Sequence, residues 1–455
     1  MKKKSIAIWI GIFWISVFFA EGIAQETRKF TLEEAQAFAL ENNYNIRNAI
    51  TDVEIAEKKV KENLAIGLPQ ISAGANYNYY IELPTTIIPA GDFPMFGDST
   101  GGGGNLEFKF GLPHNASWNA SLNQLIFSGQ YIVGLMASQA YVGLVESNLE
   151  KSEIDIKEEI AKAYYPVIIL KQNKELFDST LVSLSKMLYE TEEYYKSGFL
   201  EDTDVDQIKL LISDMETTIV NIDNQLEIAY NMLKYQMGIP FEMEIEVTDN
   251  LDELLDDVNR EFLLNSSFDY SNHIDYRLLQ GQERMAMLQL KLNRSEYYPT
   301  LSGFYSFQQD AQREKFDFTA SDKKWFTNQM VGLQLDVPIF SSGNRRFKVQ
   351  QAQLELEKIK VQDEQLKQGL SLKVKTVKSE FNNAFMIYKN KQLAVDNAEK
   401  IYQKTEIKYR EGLSTSLNLS QTYNQYLTTQ IDYLTSILTL LNKKSELEKE
   451  LTKAN

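Results

Sequence analysis

Four stretches of the chain alternate apolar and polar residues with the period of a strand. Ile71, Ala73, Ala75, Tyr77, Tyr79 and Ile81 alternate with Ser72, Gly74, Asn76 and Asn78. Trp118, Ala120, Leu122 and Ile126 alternate with Ser117, Asn119, Ser121 and Asn123. Leu301, Gly303, Tyr305 and Phe307 make a third run, and Val331, Leu333, Leu335, Val337 and Ile339 a fourth. The pattern predicts strands over 70–81, 116–127, 300–309 and 329–340, each with one apolar and one polar face. Their lengths are near the roughly 9–11 residues of a tilted membrane strand. A soluble antiparallel sheet with one dry face would show the same alternation.

Most of what remains follows the helical period. Between Gly343 and Glu411, residues such as Ile359, Leu366, Leu370, Val377, Phe381, Ala384 and Tyr388 recur at steps of three and four or their sum, a coiled-coil-like seam. A helix over 343–411 is a rod of roughly 100 Å. The stretch 130–197 matches it in length, with Pro166 expected to kink it or break its hydrogen-bond ladder locally. Further helices are predicted over 31–66, where Thr31 and Glu34 suit a capping box, and over 203–237, 274–297 and 416–453. Gly198 in "KSGFLED" and Gly412 in "REGLSTS" supply the left-handed residue that stops a long helix.

The elements come in the same order twice. "NIRN" (45–48) matches "DYRL" (275–278) and "GLPQIS" (67–72) matches "YYPTLS" (297–302), both at an offset of 230. "YYKSG" (194–198) matches "KYREG" (408–412) at 214, because the segment between Pro69 and Phe127 is 17 residues longer than that between Pro299 and Phe340. The chain thus divides into a first repeat, 25–239, a small acidic segment, 240–272, and a second repeat, 273–455. Each repeat reads as helix, strand, loop, strand, long helix, turn, helix. The loop within 82–114 is glycine-rich and polar; its counterpart at 308–328 is shorter and charged.

Three lysines, Lys2 to Lys4, then an apolar run from Ile6 to Ala20 and the small residues Gly22 to Ala24 predict a cleaved secretory signal over 1–24. The formal net charge is −16, and −18 without that segment, which argues against a nucleic-acid partner. Absence of cysteine excludes disulfides, thiol nucleophiles and a lipid-bearing N-terminal cysteine. His114 and His273 stand far apart without neighbours of metal-ligand type and read as incidental. No nucleophile–base pair or metal constellation is visible, so the expectation is a protein with no enzyme activity, no metal and no cofactor. With no apolar helical span after the leader, any entry into a membrane must use strands.

Four strands cannot close a barrel around a channel; three copies would supply twelve. On the opening "FTLEEAQAFALENNYNIRNA", the repeat, the "IFSGQ" and "IFSSGN" junctions, the "YKSG" and "YREG" turns and the four-strand count, the sequence resembles the TolC family of outer-membrane channel proteins over essentially the whole mature chain. The resemblance implies an α+β membrane protein whose tandem-repeat protomer combines long coiled-coil-like helices with four antiparallel strands. It implies a homotrimer with a 12-stranded β-barrel in outer-membrane lipid and a periplasmic α-helical tunnel. It also implies partners, namely a periplasmic adaptor protein and an inner-membrane pump, proton-driven or ATP-driven. The family's gate lies at the periplasmic end, where a tyrosine before the second turn bonds an aspartate after the first; Tyr409 and Asp204 hold those positions. The family's arginine after the second turn is replaced by Ser414, and its pore-ringing aspartates by Asn418 and Gln421, which puts an arginine latch and a charged ring in doubt.

Plainer readings stand beside these. Tyr402 reads as a seam residue, Tyr409 as a seam or gate residue, and Asp204 as an N-terminal helix acid or a latch. Tyr77, Tyr79, Tyr80, Trp118, Trp325 and Phe326 read as an interfacial girdle or as sheet packing. The functional readings are an exit duct for small-molecule efflux, the same duct in type I protein secretion, and a secreted coiled-coil structural or adhesive protein without a pore.

Overall fold

The computed structural model describes residues 28–89 and 105–453. The leader predicted over 1–24 and the middle of the loop 82–114 lie outside the described residues. Those described fall into two compact units, one drawn from 28–43, 156–260 and 381–445, the other from 44–155, 261–380 and 446–453.

In the first unit, strand β1 (Arg28–Phe30) leads into helix α1 (Leu32–Asn42). The capping box is present, with Thr31 N–H donating to Glu34 Oε2 at 2.9 Å and Glu34 N–H to Thr31 Oγ1 at 3.2 Å. The helix expected over 31–66 is broken at Asn43, whose backbone turns extended (ψ 137°), and α2 (Tyr44–Ile66) starts afresh beyond it. Asn43 is buried, and its side-chain amide donates to the Gln236 carbonyl at 2.6 Å, near the end of the helix Asp202–Met237. Continuous helical periodicity across 31–66 concealed this break, because a tertiary partner makes it.

The acidic segment 240–272 contributes strand β6 (Ile245–Val247) and the short helices α5 (Leu251–Asp256) and α6 (Arg260–Asn265). β6 pairs in parallel with β1, a two-stranded ladder absent from the alternation pattern because each strand has only three residues. Tyr164 Oη, from a wholly buried ring, donates to the Phe30 carbonyl and ties that ladder to the long helix α3.

α3 spans Gly129–Lys196 and continues through Pro166, where Tyr164, Tyr165, Val167 and Ile168 are buried. Tertiary packing on both sides of the proline holds the helix where its own ladder lacks a donor. α4 (Asp202–Met237), α8 (Asn344–Arg410) and α9 (Ser416–Leu451) are the other long helices. In the first unit these four share a core of Phe177, Leu184, Met187, Ile208, Leu211, Met215, Tyr402 and Tyr423 among others.

The second unit holds a four-stranded antiparallel sheet, ordered β2-β5-β7-β8. Its strands are β2 (Gln70–Tyr79), β5 (His114–Ser128), β7 (Thr300–Arg313) and β8 (Phe326–Asp336). β8 stops four residues short of the expected 340, because Pro338 has no N–H for the ladder. Arg345, at the start of α8, donates instead to the Pro338 carbonyl at 2.9 Å. β7 runs on to Arg313 by pairing with the equally extended β5. Within the long loop, β3 (Thr85–Pro89) and β4 (Asn105–Lys109) form a separate antiparallel pair. Helix α7 (Ile274–Ser295) precedes β7. No helix among the described residues is long and apolar enough to cross a membrane.

Candidate functional site

Both long helices end in the same backbone device. At the first turn Gly198 (φ +78°) donates to the Tyr195 carbonyl and Phe199 N–H to Tyr194 at 3.0 Å; at the second, Gly412 (φ +74°) donates to Tyr409 and Leu413 N–H to Lys408 at 2.7 Å. These are paired Schellman caps. An added Cβ would meet nothing within 4 Å at either glycine, so the positive φ alone selects the residue. Phe199 and Leu413, next in each turn, are 79% and 78% exposed.

The turns diverge beyond their caps. After the first, Asp204 folds its carboxylate back onto its own helix start, Oδ2 accepting from Glu201 N–H at 3.1 Å. After the second, Thr415 Oγ1 accepts from Asn418 N–H at 3.2 Å, and the Asn418 side-chain amide donates to Ser414 Oγ at 2.9 Å. Gln421 is exposed one turn further along α9.

Two bonds join the halves of the chain here, with partners other than those the resemblance implied. Asp204 Oδ1 accepts from the buried Ser416 hydroxyl. Tyr409, 8% exposed, reaches Thr191 Oγ1 at 3.3 Å. The Thr191 hydrogen goes to the Met187 carbonyl at 2.8 Å, so the tyrosine hydroxyl is the donor to Thr191. Burial pushes the Tyr409 phenol up, and the nearby Asp204 charge adds to it. Tyr409 and Asp204 therefore lie in each other's field but bond Thr191 and Ser416. Neither partner was legible: Thr191 sits inside an ordinary helical run, and Ser416 is one hydroxyl in a hydroxyl-rich turn.

Beside these bonds lies a cavity of about 390 Å³ lined by Met187, Thr191, Tyr194, Phe199, Tyr409 and Arg410. Arg410 is held by Glu406 at 2.9 Å and lies 3.7 Å from Glu190.

In the second unit the sheet sorts its side chains by face. Register puts Ala75, Trp118 and Gln309 in one row and Ile71, Leu122, Tyr305 and Val331 in another, on the apolar side. At the loop end of this face Tyr77 meets His114, Phe316 and Phe318, and Phe318 meets Trp325. Of the expected girdle, Phe326 belongs instead to the polar face, in the row of Asn76, Ser117 and Asp310. Ile71, Val331, Leu333 and Leu335 are exposed.

Neither histidine is idle. His114 Nδ1 lies 2.8 Å from the Tyr77 hydroxyl. His273, buried, accepts from Asp275 N–H at the start of α7 and lies 3.5 Å from Glu450, itself 2% exposed. Burial raises the Glu450 carboxyl, but His273 and Lys373 outweigh it and hold the group below the usual range. Only the fold brings residues 273, 373 and 450 together. Among the described residues no group of three or more acids and histidines suits a metal.

The first unit thus holds a bundle of long helices with glycine-capped turns, and the second holds a four-stranded antiparallel sheet that is apolar on one face. The family model for outer membrane efflux proteins matches residues 279–451. Outer membrane protein TolC of Escherichia coli (strain K12) is 22% identical over 98% of this chain and 83% of its own length. Solved structures of CusC (TM-score 0.68, 14% identity, 93% of this chain and 92% of that one) and of the Vibrio cholerae outer membrane protein VceC (TM-score 0.65, 15%, 93% and 96%) share the fold. Over residues 279–451 the chain is thus similar to outer membrane efflux proteins, and over nearly its whole length it shares the fold of CusC and VceC.

Proposed function

We propose that three copies of this chain form an outer-membrane channel, the exit duct of a tripartite efflux system for small molecules. The single observation that carries this is the four-stranded sheet, whose outer strands β2 and β8 each have an unpaired edge among the described residues and whose predominantly apolar face exposes Ile71, Val331, Leu333 and Leu335. Unpaired edges and exposed apolar surface are both costly in water. Pairing β8 of one copy with β2 of the next closes a 12-stranded barrel and turns the apolar face to lipid. The helices then extend on the periplasmic side, and the paired turns around Gly198 and Gly412 form the gate, with Asp204, Tyr409, Ser414, Asn418 and Gln421 at its closure. The sequence relatives carry outer-membrane names, which supports the location. A periplasmic adaptor and an inner-membrane pump are the partners this role requires, and the energy comes from them. The two repeats, 25–239 and 273–455, are read as a tandem duplication.

The test is the mass and negative-stain outline of protein extracted from outer membranes in mild detergent, with single-channel recording. A conducting trimer with a long projection from the detergent belt is expected. A monomeric, compact or water-soluble particle would overturn the reading.

A further inference from the structure

The polar face of the sheet is almost free of charge. Its rows run Gln70, Asn123, Phe304 and Gly332; Ser72, Ser121, Ser306 and Met330; and Asn76, Ser117, Asp310 and Phe326. Amides and hydroxyls dominate, and across β2, β5, β7 and β8 its only charged side chains are Asp310 and Asp336. Both acids are placed in the same way. Gln308 Nε2 donates to Asp310 at 2.8 Å, and Gln334 Nε2 donates to Asp336 at 3.0 Å, each from the residue two earlier on the same face. An oriented carboxylate thus stands at each end of an otherwise neutral surface. Asp336 pairs with Thr300 and Asp310 with Phe326. From Thr300 to Asp310 along β7 is roughly 33 Å, or about 25 Å along the membrane normal for a strand tilted about 40°, the height of a barrel's apolar band.

We infer that Asp310 and Asp336 are the residues that set the charge selectivity of the channel. This rests on the trimeric reading, in which each becomes a three-fold ring near one mouth of the barrel. Carboxylates in a narrow water-filled path between low-dielectric walls raise the local cation concentration and exclude anions. The amides and hydroxyls between the rings hydrogen-bond to solutes of either sign and discriminate little. At the proposed gate the exposed α9 positions carry the neutral Asn418 and Gln421, and Asp204 is engaged by Ser416.

The experiment is the reversal potential of the full trimer in a planar bilayer across a tenfold potassium chloride gradient. Wild type is expected to favour potassium; Asp310→Asn and Asp336→Asn each move the potential toward zero, and the double variant moves it furthest. Because the chain has no cysteine, a single one at either position is chemically unique. Treating Asp310→Cys or Asp336→Cys with an anionic thiol reagent should restore cation preference, and a cationic reagent should invert it. A conducting double Asn variant with the wild-type potential, or cysteine variants whose selectivity ignores the reagent's charge, overturns the inference and leaves the channel intact. Wild-type protein that never conducts overturns the channel reading itself, and this inference with it.

Discussion

From the first half of the chain, α3 and α4 bring Phe177, Leu184, Met187, Ile208, Leu211 and Met215 to the helical core; from the second, α8 and α9 bring Tyr402, Tyr409, Tyr423 and Tyr426. The halves share backbone punctuation, down to the Schellman caps at Gly198 and Gly412. Both bring hydrocarbon, Val395, Ala398 and Leu419 included, but only the second half brings buried tyrosines to this core. Those tyrosines pack as a set, with Tyr402 stacked on Tyr426 at 5.7 Å and tilted on Tyr423 at 5.4 Å. A positive-φ position admits few residues, so it stays; a buried face needs only volume and partners, so it diverges. The divergence also places hydroxyls where they can bond across the halves, as Tyr409 does.

The largest test of this contrast is Phe177→Ala, which leaves a cavity in the hydrocarbon side. It should cost about 3–5 kcal/mol in denaturant unfolding of the solubilised protein. A loss below 1 kcal/mol would mean that the α8 and α9 side of the core holds it without Phe177. Next come Gly198→Ala and Gly412→Ala. Each forces a side chain into the left-handed region at a cost of about 1–2 kcal/mol, and the two should agree within roughly 0.5 kcal/mol. Unequal values would show that one turn draws on tertiary support the other lacks.

Within the rings, hydroxyls differ. Among the described residues Tyr423 Oη is buried without a hydrogen-bond partner, whereas Tyr409 Oη bonds Thr191. Tyr423→Phe should therefore be neutral or stabilising, and Tyr409→Phe should lose about 1 kcal/mol while raising the open fraction in single-channel records. Burial pushes the phenols of Tyr402 and Tyr423 above their ordinary value. With the folded pKa raised, their stabilising contribution is whole below about pH 10 and is lost as pH rises toward the folded value, since the unfolded chain ionises first. A Tyr402→Phe, Tyr423→Phe variant should keep its melting temperature to higher pH than wild type. An identical alkaline profile would exclude these two phenols as its source.

The smallest effect on stability, and a sharp one on conductance, is expected at the second turn. If the amides there make the gate less cation-binding than an acidic one, an Asn418→Asp, Gln421→Asp variant should be blocked by multivalent cations more strongly than wild type. Equal block would refute that reading of the turn.

Alternation at 70–81 and 329–340, seams of threes and fours through 130–197 and 343–411, and glycines at 198 and 412 were legible because strand faces, helix stripes and positive φ are local requirements that single residues meet or fail. The short ladder of β1 with β6 left no such trace, nor did the break at Asn43 or the passage of α3 through Pro166. Each depends on a partner distant in sequence: Gln236 for Asn43, Ile245–Val247 for Arg28–Phe30, the buried surroundings of Tyr164 for the proline. The same holds at the paired turns. Sequence alone brought Asp204 and Tyr409 to one end of the helices, but packing of α3 and α4 against α8 and α9 gave them Ser416 and Thr191 as partners. Hydrogen bonds between side chains follow the last few ångströms of approach, which periodicity does not encode.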